Sequence, residues 1–98
     1  MTKTQKKIDN NIRQALTSAC EIFLEEIAGF EWLTHDVNYN NFPASLLITC
    51  VFNSLETESE ALTNGDTESM QKLIQAKLLN IGVKLKSPKK QIIFTNSI

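Results

Sequence analysis

This chain is poor in the residues that usually carry chemistry. It has one histidine, His35, one arginine, Arg13, and two cysteines, Cys20 and Cys50. One histidine cannot supply HxxxH or HExxH, and the cysteines, 30 positions apart, fit no CxxC or Cys/His metal spacing. The glycines number three, and none builds GxGxxG, GxxxxGK[ST] or GxSxG. No metal or cofactor is therefore expected, and no catalytic activity. No apolar run approaches the roughly 18 to 20 residues that span a bilayer. The basic start, MTKTQKKIDNN, lacks the apolar block of a secretory signal, so the expected location is the cytoplasm.

Charge of one sign is missing from the whole middle of the chain. Residues 21–70 hold ten acids and no Lys or Arg. Residues 1–20 hold four cations against Asp9, and residues 71–98 hold six lysines and no acid. The net charge is only -1, which by itself suggests no polyanion partner. The separation of signs has two readings. Basic ends can complement an acidic middle within the fold. Alternatively, Lys6, Lys7, Arg13, Lys84, Lys86, Lys89 and Lys90 meet in space as a patch for an anion or nucleic acid. Lysines on a loop suit phosphates, but a single arginine is a poor basis for reading bases.

What is present reads as one domain over residues 1–98. Apolar residues at 42% are enough for one modest core, and five Gly plus Pro give no sign of wholesale disorder. Ile8, Ile12, Ala15, Leu16, Ala19, Cys20, Phe23 and Ile27 recur at spacings of three and four. That predicts a helix over 4–28, capped by Thr2 or Thr4 and ended by Gly29. From Trp32 to Tyr39 the period is two: Leu33, His35, Val37 and Tyr39 form one row, and Trp32, Thr34, Asp36 and Asn38 the other. His35 and Asp36 thus point to opposite faces and cannot act as a dyad. SLLITCVFN, 45–53, is a second strand, and the two most simply form an antiparallel hairpin across NYNNFP.

Thr57 with Glu60 matches a capping box for a short helical turn reaching Leu62. Thr67 or Asp66 can cap a helix over 67–81, with a stripe of Met70, Leu73, Ile74, Lys77, Leu78 and Ile81 and with Gly82 as terminator. VKLKSPKK is a basic connector broken by Pro88. QIIFTNSI reads as a third strand, which further residues or a partner could complete. The order helix, strand, strand, helix, strand predicts an α+β two-layer sandwich, with both helices on one face of a three-stranded sheet. The other face would then carry the row of Trp32, or that of His35 and Tyr39. Those three residues mark the candidate partner face.

KKIDNNIRQALTSACE, GFEWLTHDVNYNNFPASL and CVF resemble a group of short, uncharacterised gammaproteobacterial proteins labelled Fis family transcriptional regulators. The likeness covers residues 6–53 well and the remainder loosely. It implies DNA binding through a helix-turn-helix that ends an all-helical chain. The residues themselves imply something different over the same stretch, because Pro88 and a β-prone end replace that last helix. The element order is also similar to ribosome-binding factor A and other KH-like modules, which would imply RNA binding, here without their GxxG loop. The expected function is a small non-catalytic binding or regulatory module. It would engage a protein partner, or pair with itself through the C-terminal edge strand. The alternative is a nucleic-acid binder of Fis type or KH-like shape.

Overall fold

The computed structural model describes residues 2–97. The first helix, α1, spans Lys3–Glu26. Thr2 caps it. Its hydroxyl accepts from the Gln5 amide, and the Gln5 side chain accepts from the Thr2 amide, so two orphan donors are satisfied together. The spacing of three and four buries Ile12, Ala15, Leu16, Ala19 and Phe23. Each large apolar side chain removed from water in this way contributes about 1.5–3 kcal/mol.

Strand β1, Phe30–Asp36, runs back along α1. It begins two residues earlier and ends three residues sooner than its alternation predicts. The early start depends on a β-bulge. Phe30 pairs with Phe52, but Trp32 pairs with Val51, so Glu31 is an extra residue in the ladder. One inserted residue reverses the side-chain phase. Phe30 can therefore turn inward along with Leu33 and His35, although their numbers differ in parity. Inside, it meets the rings of Phe23 at 5.4 Å and Phe52 at 6.2 Å, both edge-on. The strand ends because Asn38 turns the chain. Its side chain accepts from the Asn40 amide and starts a 3-10 turn over Tyr39–Asn41. Ser45 then closes the loop, with its hydroxyl bonded to both the amide and the carbonyl of Asn38.

Strand β2, Leu47–Phe52, completes the antiparallel hairpin. Ile48, Cys50 and Phe52 are fully buried beneath the helices. Next comes α2, Leu55–Asn64, longer than the single turn expected. Its cap is Ser54, which accepts from the Thr57 amide, so Thr57 lies inside the helix. Gly65, at φ 91°, separates α2 from α3, Asp66–Leu79. Asp66 and Thr67 are consequently helical residues rather than caps. Helix α3 buries Thr67, Met70, Ile74 and Leu78, while Lys77 is only half-buried.

The basic connector is less of a loop than its lysines suggest. Val83 and Leu85 are buried and Lys84 and Lys86 exposed, an alternation that stitches the segment to the core. Pro88 opens a short helix, α4, Pro88–Gln91, where its missing N–H costs nothing. Strand β3, Ile92–Asn96, follows and pairs parallel to β2. Among the described residues the sheet order is β1-β2-β3, with β1 and β3 as its edges. The fold is α+β, with its helices packed against a three-stranded mixed sheet.

Candidate functional site

Asp9 is the polar junction between α1 and the hairpin. Its side chain is 13% exposed and has three neighbours. Arg13 Nε donates to Oδ2 at 2.7 Å, the Tyr39 hydroxyl donates to Oδ1 at 3.0 Å, and His35 Nε2 lies 3.5 Å from Oδ1. The Arg13 bond, helped by Tyr39 and His35, holds the Asp9 carboxyl below its ordinary range, against the opposing effect of burial. Burial, followed by the Asp9 carboxylate, pushes the Tyr39 phenol up to about 12. At neutral pH the group is a carboxylate held by a phenol and a guanidinium. That arrangement fastens α1 to the 3-10 turn that follows β1.

The rows of the first strand are now separated. Leu33, His35 and Val37 lie on the helix side and are half-buried, and Tyr39 reaches Asp9 from the 3-10 turn. Trp32 lies on the other face. Of the three candidate partner residues, only Trp32 faces away from the helices. The ladder places Trp32, Thr34 and Asp36 beside Val51, Thr49 and Leu47, with Ile93 and Thr95 completing the face on β3. Trp32 is 46% exposed, Ile93 39% and Leu47 36%. Threonines fill the spaces between them. Among the described residues no Lys or Arg belongs to any of the three strands, and Glu31 and Asp36 lie on β1.

The seven candidate cations lie on α1, on the connector before Pro88 and on α4. Lys6 and Lys7 are exposed on the first turns of α1. Arg13 lines a groove with Thr34 and His35 on the β1 side of the sheet. Lys84 and Lys86 are exposed on the connector. Lys89 and Lys90 belong to α4, at the β3 side, where they line a shallow groove with Lys72 and Glu68 of α3. Lys89 and Lys90 thus come together, with Lys72 joining them, while Arg13 lies over the opposite edge. Lys72 escaped the sequence reading because it sits in a helix, away from the cluster around Pro88.

The thiols are packing groups. Cys50 is fully buried, and burial, with Cys20 nearby, raises it to about 12. Cys20 is half-buried at α1, and both thiols are free. Gln91 is the polar residue that sequence reasoning missed. Buried at 5% exposure, it donates from Nε2 to the carbonyls of Pro43 at 2.8 Å and Leu46 at 3.0 Å. Its Oε1 accepts from the Ser87 amide at 2.8 Å. No sequence signal marks a glutamine that serves backbone 45 and 48 positions away. Among the described residues no three His, Cys, Asp or Glu side chains gather as metal ligands. No described helix is long and apolar enough to cross a membrane.

No protein-family model, curated protein or solved structure matches this chain.

Proposed function

We propose that this chain is a non-catalytic protein-interaction module that works through the uncovered face of its sheet. One observation carries the reading. The largest side chain of the protein, Trp32, stands half out of water on a sheet face with Leu47, Val51, Ile93 and three threonines. Tryptophan is among the residue types most enriched at the centres of protein interfaces, and charged groups are depleted there. The same face argues against nucleic acid. A single aromatic offers little stacking, and the strand residues bring carboxylates where phosphates need cations. Strand β3 is a second place for pairing, since it lies at a sheet edge. That edge is short and flanked by α2, where Asn96 donates to Glu58 at 2.9 Å.

The test is capture from the native cell on immobilised protein, comparing the wild type with Trp32→Ala and Ile93→Lys. A partner retained by the wild type and lost from both variants, with their melting temperatures unchanged, is the expected result. A partner retained equally by all three overturns the reading. A low-salt mobility shift supplies the contrast. No retention of DNA or RNA is expected, and retention abolished by replacing Lys72, Lys89 and Lys90 would favour the nucleic-acid alternative.

A further inference from the structure

The β1 edge is the longer of the two sheet edges, and its chemistry complements itself. The Ser97 amide donates to the Phe52 carbonyl, which fixes Ile48, Cys50 and Phe52 as the β2 residues whose main chain faces β3. Leu47, Thr49 and Val51 must then face β1. Their partners Asp36, Thr34 and Trp32 are bonded inward, and the amides and carbonyls of Leu33 and His35 point out of the sheet. Edge strands are ordinarily protected by lysine, proline or a bulge. Strand β1 has neither lysine nor proline, and its bulge at Glu31 leaves residues 33–36 regular.

A groove runs along this edge, between β1 and α1, with Leu16 and Cys20 at its base. Thr17 and Thr34 line it from the helix and from the strand. On the helix, Arg13 lies four residues before Thr17 and Glu21 four residues after it, and both are exposed. Among the described residues Asp9 holds Arg13 through Nε alone, which leaves both terminal guanidinium nitrogens for another carboxylate.

We infer that the β1 edge and the outer side of α1 pair with a second copy of this chain about a two-fold axis near Thr17 and Thr34. The axis sets Leu33 opposite His35 of the second copy, and the reverse, so that outward amides and carbonyls meet as hydrogen-bonded pairs. It sets Arg13 opposite Glu21 of the second copy, twice. On the open face Trp32 comes opposite Asp36, and no like charges are directly opposed. The product is a continuous six-stranded sheet whose two uncovered faces lie side by side. Pairing of this kind uses one surface patch on both partners, as two-fold interfaces require. It rests on the outward main chain of β1 and on Arg13, Thr17 and Glu21, none of which carries the open-face reading, so either can fail alone.

Sedimentation of the full chain over a concentration series tests it. The wild type is expected to dimerise. Glu21→Arg, which opposes arginines twice, is expected to weaken the dimer at least about tenfold, and Thr17→Arg, at the axis itself, to do the same. Arg13→Glu should also be monomeric alone, while an equimolar mixture of Arg13→Glu and Glu21→Arg should recover a heterodimer. Circular dichroism of each variant checks that it is folded. A wild type that stays monomeric at high concentration overturns the inference. So does a dimer indifferent to Glu21→Arg and Thr17→Arg, or a mixture that fails to pair. A dimer lost only on Trp32→Ala would place the second copy on the open face and overturn the edge pairing too.

Discussion

Replacing Gly29 by alanine is expected to be the costliest small change available in this chain. Gly29 turns α1 into β1 at φ 81°, a left-handed backbone. An L residue there costs about 1–2 kcal/mol. The second cost is steric. A Cβ on Gly29 would overlap the Thr57 side chain, coming within 2.6 Å of its Cγ2 and nearer still to its Cβ. Thr57 has little room to withdraw, because its hydroxyl donates to Asn53 at 2.8 Å and its backbone lies in the first turn of α2. The Gly29 carbonyl also accepts from the Asn53 amide at 2.8 Å, tying the corner to the end of β2. Forcing α2 outward is an overpacking change worth about 1–3 kcal/mol. The sum is about 2–5 kcal/mol, which for a domain of this size lowers the melting point by roughly 10 °C or more. Gly65 and Gly82 provide the control. Both have positive φ, 91° and 81°, but a Cβ on either meets nothing within 4 Å. Their alanine variants should lose the conformational part alone, about 1–2 kcal/mol. Urea unfolding of the three variants measures the difference. Should Gly29→Ala prove no worse than Gly65→Ala, the contact with Thr57 plays no part in fixing the corner.

Three further outcomes follow from the polar junctions. Asp9→Ala should cost about 1.5–3 kcal/mol at neutral pH by leaving Tyr39 and Arg13 without their shared acceptor. Because the Asp9 carboxyl is held below 3.8, that stabilisation is complete above this value and lost as pH falls through the lowered folded value. The wild type and variant should therefore converge in acid, and a gap persisting at the lowest pH of a denaturation series would refute the charged hub. Tyr39, raised to about 12, works in the opposite direction: its share is full below pH 10 and fades as pH rises through 12. Gln91→Ala should cost about 1–3 kcal/mol, since it strands the carbonyls of Pro43 and Leu46 and the Ser87 amide. Thermal melts would show it, and a neutral effect would mean that water replaces the side chain.

Local pattern determined most of the architecture. A spacing of three and four produced α1 and its buried face. Thr2 supplied the cap, the alternation in LITCVF produced the inward face of β2, and the hairpin followed from two strands and a turn. These are short-range effects, since a helix or strand phase is set by neighbours within a few residues. What only the tertiary structure decided is everything that depends on a distant partner. Counting by twos from Trp32 could not reveal the bulge at Glu31, since an inserted residue shows only against the opposing strand. Thr57 was the expected cap of α2, but Ser54, three residues earlier, takes that place and leaves Thr57 in the first turn. Likewise the pairing of β3 parallel to β2, and the service of Gln91 to backbone far away in sequence, leave no local trace. The same holds for the candidate surface. Sequence alternation split Trp32 from His35 and Tyr39 but left open which row faced out. The ladder decided it, pairing Leu33 with Cys50 and His35 with Ile48 on the buried side, and Asp9, 26 and 30 residues away, meets His35 and Tyr39 there.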